Sequence, residues 1–362
     1  MTESSTLINE VFGDTLSPTR FIKKVKPFNN EHFMFTAANF YGSKYRKNKL
    51  SQIGIHDYVD HAGALMLDSG GYQLINKNLP FTLEETIEIY RLAKFRKNDS
   101  CISLDYCPIP TDKPQTRMQK IKDSNDNLIK MRKLAPELAP QIIHVLHGWS
   151  MKELRTSLNP IGDDERLIAF GSCFSFMLKG YKDKIITKFI NLLRLIEEYP
   201  DLQNTRFHIL GASGSNTSHI CWYSGMEQTD SASWRRIAAF GKIAFVGVSE
   251  ISISNRKVNF GNTKWTERYD TLLKECECFI CDGLSLTERK ELLSTSFQDR
   301  ATHNAHIFLQ ERELARELVG TNKYYPYLQN RFKRSYFMKK FLSKINESKF
   351  QPTIDAFLNK SH

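Results

Sequence analysis

Three aspartates in the 362-residue chain follow short runs of strand character or lie just beyond a glycine-led turn. Asp68 follows Ala64-Leu65-Met66-Leu67, Asp105 follows Ile102-Ser103-Leu104, and Asp230 with Ser231 follows Gly225-Met226-Glu227-Gln228-Thr229. A carboxylate at such a place can attack a carbon, move a proton or accept paired hydrogen bonds. The segment Asp68-Ser69-Gly70-Gly71-Tyr72-Gln73 adds a hydroxyl, two glycines that permit close approach, and an aromatic face. His147-Gly148, Gly171-Ser172-Cys173 and Gly211-Ala212-Ser213-Gly214 also end apolar runs. A second cluster has a different chemistry. Cys276-Glu277-Cys278-Phe279-Ile280-Cys281 is a C-x-C-x2-C array, with His303 and His306 downstream. Three thiolates and one imidazole complete a tetrahedral zinc site with no position left for water, which makes the metal structural. Spacing alone leaves the fourth ligand open between His303 and His306.

The elements that must hold these groups read as alternating strand and helix. Apolar, β-rich runs occur at Ala64–Leu67, Cys101–Leu104, Ile142–Leu146, Leu167–Phe170, Phe207–Leu210 and Ile243–Val248. Thr82-Leu83-Glu84-Glu85 reads as a capping box opening a helix through Lys94. The segment Lys179–Tyr199 carries Ile185, Ile186, Phe189, Ile190, Leu192, Leu193 and Ile196 at amphipathic spacing. Such alternation predicts a parallel sheet, and the number of units favours a closed TIM (β/α)8 barrel over an open sheet. The strand-end groups would then converge on its carboxyl-end face.

Composition narrows the partners. Charged residues at 25% and hydrophobic residues at 41% are those of a soluble globular protein, while a formal charge of +11 suggests a polyanion, most often nucleic acid. No apolar run reaches membrane-spanning length, and the opening Met1-Thr2-Glu3-Ser4-Ser5 lacks a secretory signal pattern. Seven cysteines, three of them within six positions, argue for a reducing compartment and a metal rather than a disulfide framework. A cytoplasmic protein is expected. Two basic, aromatic-rich stretches suit phosphates and unstacked bases: Lys44-Tyr45-Arg46-Lys47 with Lys49, and the segment from Lys323 to Lys340. The aromatics of the second stretch equally suit a terminal helix docked on the barrel.

With these residues in view, the chain resembles the tRNA-guanine transglycosylase superfamily from about residue 60 to about residue 310. Asp68-Ser69-Gly70-Gly71-Tyr72-Gln73 looks like that family's DSGG[FY]Q motif, and Asp105-Tyr106-Cys107-Pro108 like its guanine-reading segment. Asp230-Ser231-Ala232-Ser233 looks like its nucleophile segment, and the cysteine array followed by His303-Asn304 like its zinc site. The resemblance implies a TIM barrel with an inserted zinc-binding subdomain near the C-terminus. It implies a pentosyltransferase that exchanges guanine in a polynucleotide for a 7-deazaguanine base, such as 7-cyano-7-deazaguanine. Asp230 would be the nucleophile and Asp68 the general acid/base. Asp105 would read the guanine edge; Ser69, His147, Gly171 and Ser172 would add hydrogen bonds, and Tyr72 and Leu210 would sandwich the base. Cys276, Cys278, Cys281 and His303 would hold one structural zinc per chain, with His306 the alternative to His303. The expected division is 1–270 for the catalytic barrel, 271–310 for the zinc-binding subdomain and 311–362 for a basic helical segment packed on the barrel.

Departures from the family pattern sharpen the substrate. His147 stands where the family usually has glutamine, and it can titrate. The basic loop that follows the nucleophile in the bacterial enzymes is absent, and residues 311–362 leave no room for the archaeal RNA-binding domains. These features fit the branch that modifies DNA, the DpdA-like transglycosylases, so DNA is the expected substrate and tRNA the alternative. A non-catalytic nucleic-acid-binding partner subunit is a further alternative, against which the joint presence of Asp68, Asp105 and Asp230 argues. A homodimer is left open.

Overall fold

The computed structural model describes residues 8–13, 28, 30–71, 82–162, 165–171, 180–212, 214–254 and 265–348. Eight parallel strands close into a barrel in sequence order. They are β1 (Asn9–Gly13), β2 (Phe33–Thr36), β3 (Leu65–Asp68), β4 (Ser100–Ile102), β5 (Ile142–Leu146), β6 (Leu167–Phe170), β7 (Arg206–Ile209) and β8 (Gln228–Ser231). The seam is the parallel β1–β8 pair, in which Asn9 faces Gln228 and Val11 faces Asp230. The protein is a TIM barrel.

Helices α1 (Lys44–Val59), α2 (Leu83–Ala93), α3 (Pro114–Leu134), α4 (Met151–Leu158), α5 (Lys182–Glu198), α6 (Ser215–Tyr223) and α7 (Ser233–Ala239) follow strands β2 to β8 in turn. Local chemistry sets their ends. The Thr82 hydroxyl accepts from the Glu85 backbone N–H at the start of α2, and Lys94 closes that helix with a left-handed backbone at φ 52°. At α4, Ser150 and Glu153 form a reciprocal capping box. The amphipathic stretch expected at 179–199 is α5, and the seven apolar residues named for it are buried.

The period of two along each strand divides the barrel residues between two cores. Leu65, Leu67 and Cys101 pack outward under the helices. Ile168, Phe170, Phe207 and Ile209 do the same on the opposite side. Met66, Ile102, Ile143, Val145 and Ala169 fill the interior, with Leu210 packed against them. The next inward position after that apolar layer is therefore Asp68 on β3, His147 after β5 and Gly171 after β6. Apolar strands under polar rims fix the height of the site.

The sequence runs missed three barrel strands and included one that lies outside the barrel. β1 reads Asn-Glu-Val-Phe-Gly with only two apolar residues in a row, β2 reads Phe-Met-Phe-Thr, and β8 reads Gln-Thr-Asp-Ser, a polar string without the apolar signature of a buried strand. All four β8 residues are buried nonetheless; Asp230 meets His208 inside the barrel, and Thr229 meets Ser218 under α6. The run at 243–248 begins in β9 (Lys242–Phe245), which pairs antiparallel with β10 (Val248–Ser252), since β8–β1 pairing has already closed the barrel.

The β9–β10 hairpin, α8 (Glu267–Lys274) and α9 (Leu286–Thr295) build a small separate core of Ile243, Phe245, Ile251, Tyr269, Leu273 and Leu293 that also takes in Cys276, Cys278 and Cys281. The long α10 (Phe297–Leu318) then returns along α7 and β1. Beyond it, α11 (Tyr324–Arg331) and α12 (Tyr336–Glu347) dock through buried Tyr324, Leu328, Phe332, Met338 and Phe341. Glu311 of α10 fastens this end. It accepts from His219 of α6, from Arg331 of α11 and from the Gly247 backbone N–H. Among the described residues, no helix is long and apolar enough to cross a membrane.

Candidate active site

The carboxyl ends of β3, β4 and β8 bring Asp68, Asp105 and Asp230 to one face of the barrel. Their charges act on one another. Burial, then the Asp105 carboxylate, then the Asp230 carboxylate push the Asp68 carboxyl up to about 7, against hydrogen bonds from the Gly70 N–H and the Thr36 hydroxyl. A carboxyl poised there can give a proton and take one back near neutrality.

Asp105 is gripped on both oxygens. The Ser69 hydroxyl donates to Oδ1 at 3.0 Å, and His147 Nε2 lies 2.8 Å from Oδ2. A carboxylate only accepts, so the imidazole proton sits on Nε2. Each carboxylate oxygen keeps a further lone pair for a ligand. Gly71 is required here, since a Cβ at that position would collide with the Asp105 carboxylate. Gly70, at φ 92°, aims its N–H back at Asp68. The pair of glycines after Ser69 thus fits two aspartates at once.

Sequence reasoning expected His147 to face the base. The structure points its Nε2 at Asp105, and the ring lies against Gly171, where a Cβ would fall 2.5 Å from Cε1. Burial pulls this imidazole below its ordinary range, while Asp105 works to raise it. Gly171 itself is anchored from behind. Lys188 of α5, fully buried, donates to the Gly171 carbonyl at 2.7 Å and sits over the rings of Trp149 and Phe170 at 4.6 and 4.9 Å. Leu210 packs on the interior core at the same rim. Tyr72 and Ser172 lie outside the described residues.

Asp230 holds a distinct set of partners. His208 Nε2 lies 3.1 Å and the Gly211 backbone N–H 2.7 Å from the same oxygen, Oδ1. Sequence reading overlooked Thr36, Lys188 and His208. The histidine had one available signal: it stands between Phe207 and Ile209, at the inward position of a strand that ends beside Asp230.

The cysteine array folds as its own site. Cys276, Cys278, Cys281 and His303 are all buried, and their ligand atoms lie within 4.8 Å of one another. His303 Nδ1 is 3.6, 3.4 and 3.7 Å from the three sulfurs in turn. Its Nε2 faces the Ala244 carbonyl at 3.0 Å, which places the proton on Nε2 and leaves the Nδ1 lone pair toward the thiols. Asn304 bonds the backbone of Ala244, Trp234 and Lys242 and so sets the register of α10 against β9 and α7. Three sulfurs and an imidazole with a fixed tautomer can coordinate a metal ion, and the donor set fits zinc. His306 is not among the clustered donors.

No protein-family model matches the chain. Among curated proteins, it is similar to a queuine tRNA-ribosyltransferase of Staphylococcus haemolyticus, with 21% identity over 300 residues, 75% of this chain and 73% of that protein. The barrel and this distant similarity support the broader tRNA-guanine transglycosylase superfamily and a transglycosylase-type enzymatic fold.

Proposed function

We propose that the protein is a guanine transglycosylase, replacing guanine in a nucleic acid by a 7-deazaguanine base through a covalent aspartyl-sugar intermediate. The observation that carries this reading is the convergence of three aspartates with divided roles. Asp68 is lifted to about 7 by burial and by the two others, which suits proton transfer to a leaving purine and from an incoming one. Asp105, steadied by Ser69 and His147, can accept from the N1–H and 2-amino group of guanine, a donor pair adenine lacks. Asp230 attacks the anomeric carbon. Two attacks from opposite faces preserve the configuration of the sugar, as in a retaining glycosidase. Gly171, Ser172, Tyr72 and Leu210 complete the base pocket in this reading, and His147 acts on the base through Asp105.

Zinc, held by Cys276, Cys278, Cys281 and His303, contributes structure and not chemistry. It ties the cysteine turn to α10. The zinc-binding subdomain we assign starts at Lys242, upstream of 271, because β9 and β10 share the core of the cysteines.

DNA is the polymer we favour, because α7 starts at Ser233, three residues after Asp230, with no basic loop between them. The name of the similar staphylococcal protein favours tRNA as the second reading. In either polymer the target guanine must leave its stack to reach the barrel rim. The test offers labelled guanine with duplex DNA and, separately, with bulk tRNA. Label should enter DNA; entry into tRNA alone transfers the reading to tRNA, and entry into neither overturns it in favour of a non-catalytic partner subunit.

A further inference from the structure

We infer that His208 is a positioning residue for Asp230 that selects which carboxylate oxygen attacks and eases its departure; this rests on the transglycosylase reading above. Phe207 and Ile209 pack outward under the helices, so His208 between them points into the barrel, where it is fully buried. Its only hydrogen-bonded partner among the described residues is Asp230, and Nδ1 has none. The proton therefore sits on Nε2 and is donated to Oδ1 at 3.1 Å. The Gly211 N–H donates to the same atom at 2.7 Å. No hydrogen bond of the described residues falls on Oδ2. Two donors on one oxygen lock the rotation of the carboxylate and leave Oδ2 as the atom that faces substrate.

This arrangement acts differently in the two steps. In the first, an electron pair of Oδ2 forms the bond to the anomeric carbon while the bond to guanine breaks, its electron pair leaving with the purine, which takes the proton of Asp68. In the second, the incoming base gives a proton to Asp68 and bonds to the same carbon, and the Oδ2–carbon pair returns to the carboxylate. Negative charge then reappears on Oδ1 and meets the two donors that already surround it. A carboxylate is a better acceptor than an ester carbonyl, so these donors favour departure of Asp230 more than its attack.

Loss of the His208 donor should therefore slow breakdown of the intermediate more than its formation. The experiment follows a labelled polynucleotide, acid-quenched during turnover, and measures covalent adduct and exchanged base for the full-length protein. His208→Leu should fold, keep its affinity for polynucleotide within about twofold, lose about 10- to 100-fold in exchange rate and accumulate adduct above the wild-type level. His208→Gln, whose side-chain amide can donate toward Oδ1, should restore both rate and adduct level in part. If His208→Leu does not fold, His208→Asn serves, since it keeps an amide in the barrel but withdraws the donor from Asp230. An unchanged rate, or equal slowing of both steps without rescue by Gln, overturns the role of His208. A wild-type protein that neither forms adduct nor exchanges base overturns the transglycosylase reading itself, a separate result.

Discussion

Asp68 is kept where its charge is unwelcome. Burial and two neighbouring carboxylates raise it to about 7, so the folded chain holds that proton far more tightly than the unfolded chain does. Relative to a neutral side chain, stability is intact below pH about 4 and is lost as pH rises through about 7. Asp68→Asn should therefore melt higher than wild type at pH 8, by about 1–3 kcal/mol, with the gap closing toward pH 4. Thermal denaturation across that range checks it, and an equal or lower melting point at pH 8 contradicts it. In the proposed reaction the same proton passes to the departing guanine, so the single-turnover rate of the first step should fall above pH about 7; a flat profile from pH 6 to 9 would remove Asp68 as the acid. Asp68 and Asp105 were legible in sequence because each follows an apolar run, whereas Asp230, inside the polar β8, was marked by the glycine-led turn before it and by the segment that follows it. Lys188 and His208 were harder to read: the alternation around Phe207 and Ile209 marks His208 as inward, but the partner of each lies on another element.

Two joints between elements fasten segments outside the barrel. At the first, burial alone would raise the Glu311 carboxyl, but Arg331 and His219 overcome it and hold it at about 2. Arg331→Met leaves a buried charge without its partner and should cost about 3–5 kcal/mol, whereas adding Glu311→Gln should recover part of that loss. Urea denaturation of the single and double variants decides this; a near-neutral Arg331→Met would show that α11 is not held through this pair. Because the shift is downward, its contribution is present above pH about 4.5 and fades as pH falls toward about 2. At the second joint, Cys278→Ala should reduce bound zinc from about one per chain to a small fraction and lower the melting temperature. Wild-type protein free of metal by elemental analysis would contradict the zinc assignment. The C-x-C-x2-C array was readable as a metal site, but His303 and His306 were separable only once the Nε2–Ala244 contact and the distances to sulfur were known.

At the scale of the whole molecule, a basic surface lies at the same end of the barrel as the proposed site. Residues Lys44, Tyr45 and Arg46 are exposed just beyond β2, on the same end of the barrel as Asp68. Lys44→Glu should weaken polynucleotide binding several-fold and lower the salt slope by about one, without changing the exchange rate at saturation. An unaltered salt slope would place the polynucleotide elsewhere. The barrel was largely legible in sequence because the strands from β3 to β7 carry apolar runs. Its closure was not, because β8 is a polar strand whose burial is set by tertiary structure, and β1 carries only two apolar residues in a row, Val11 and Phe12. The proposed reaction turns on a bond between Asp230 and the sugar. Acid-quenched protein from turnover with labelled polynucleotide, digested and analysed by mass spectrometry, should show the adduct on the peptide containing Asp230 and none in Asp230→Asn. An adduct on another residue, or exchange at the wild-type rate by Asp230→Asn, would contradict it.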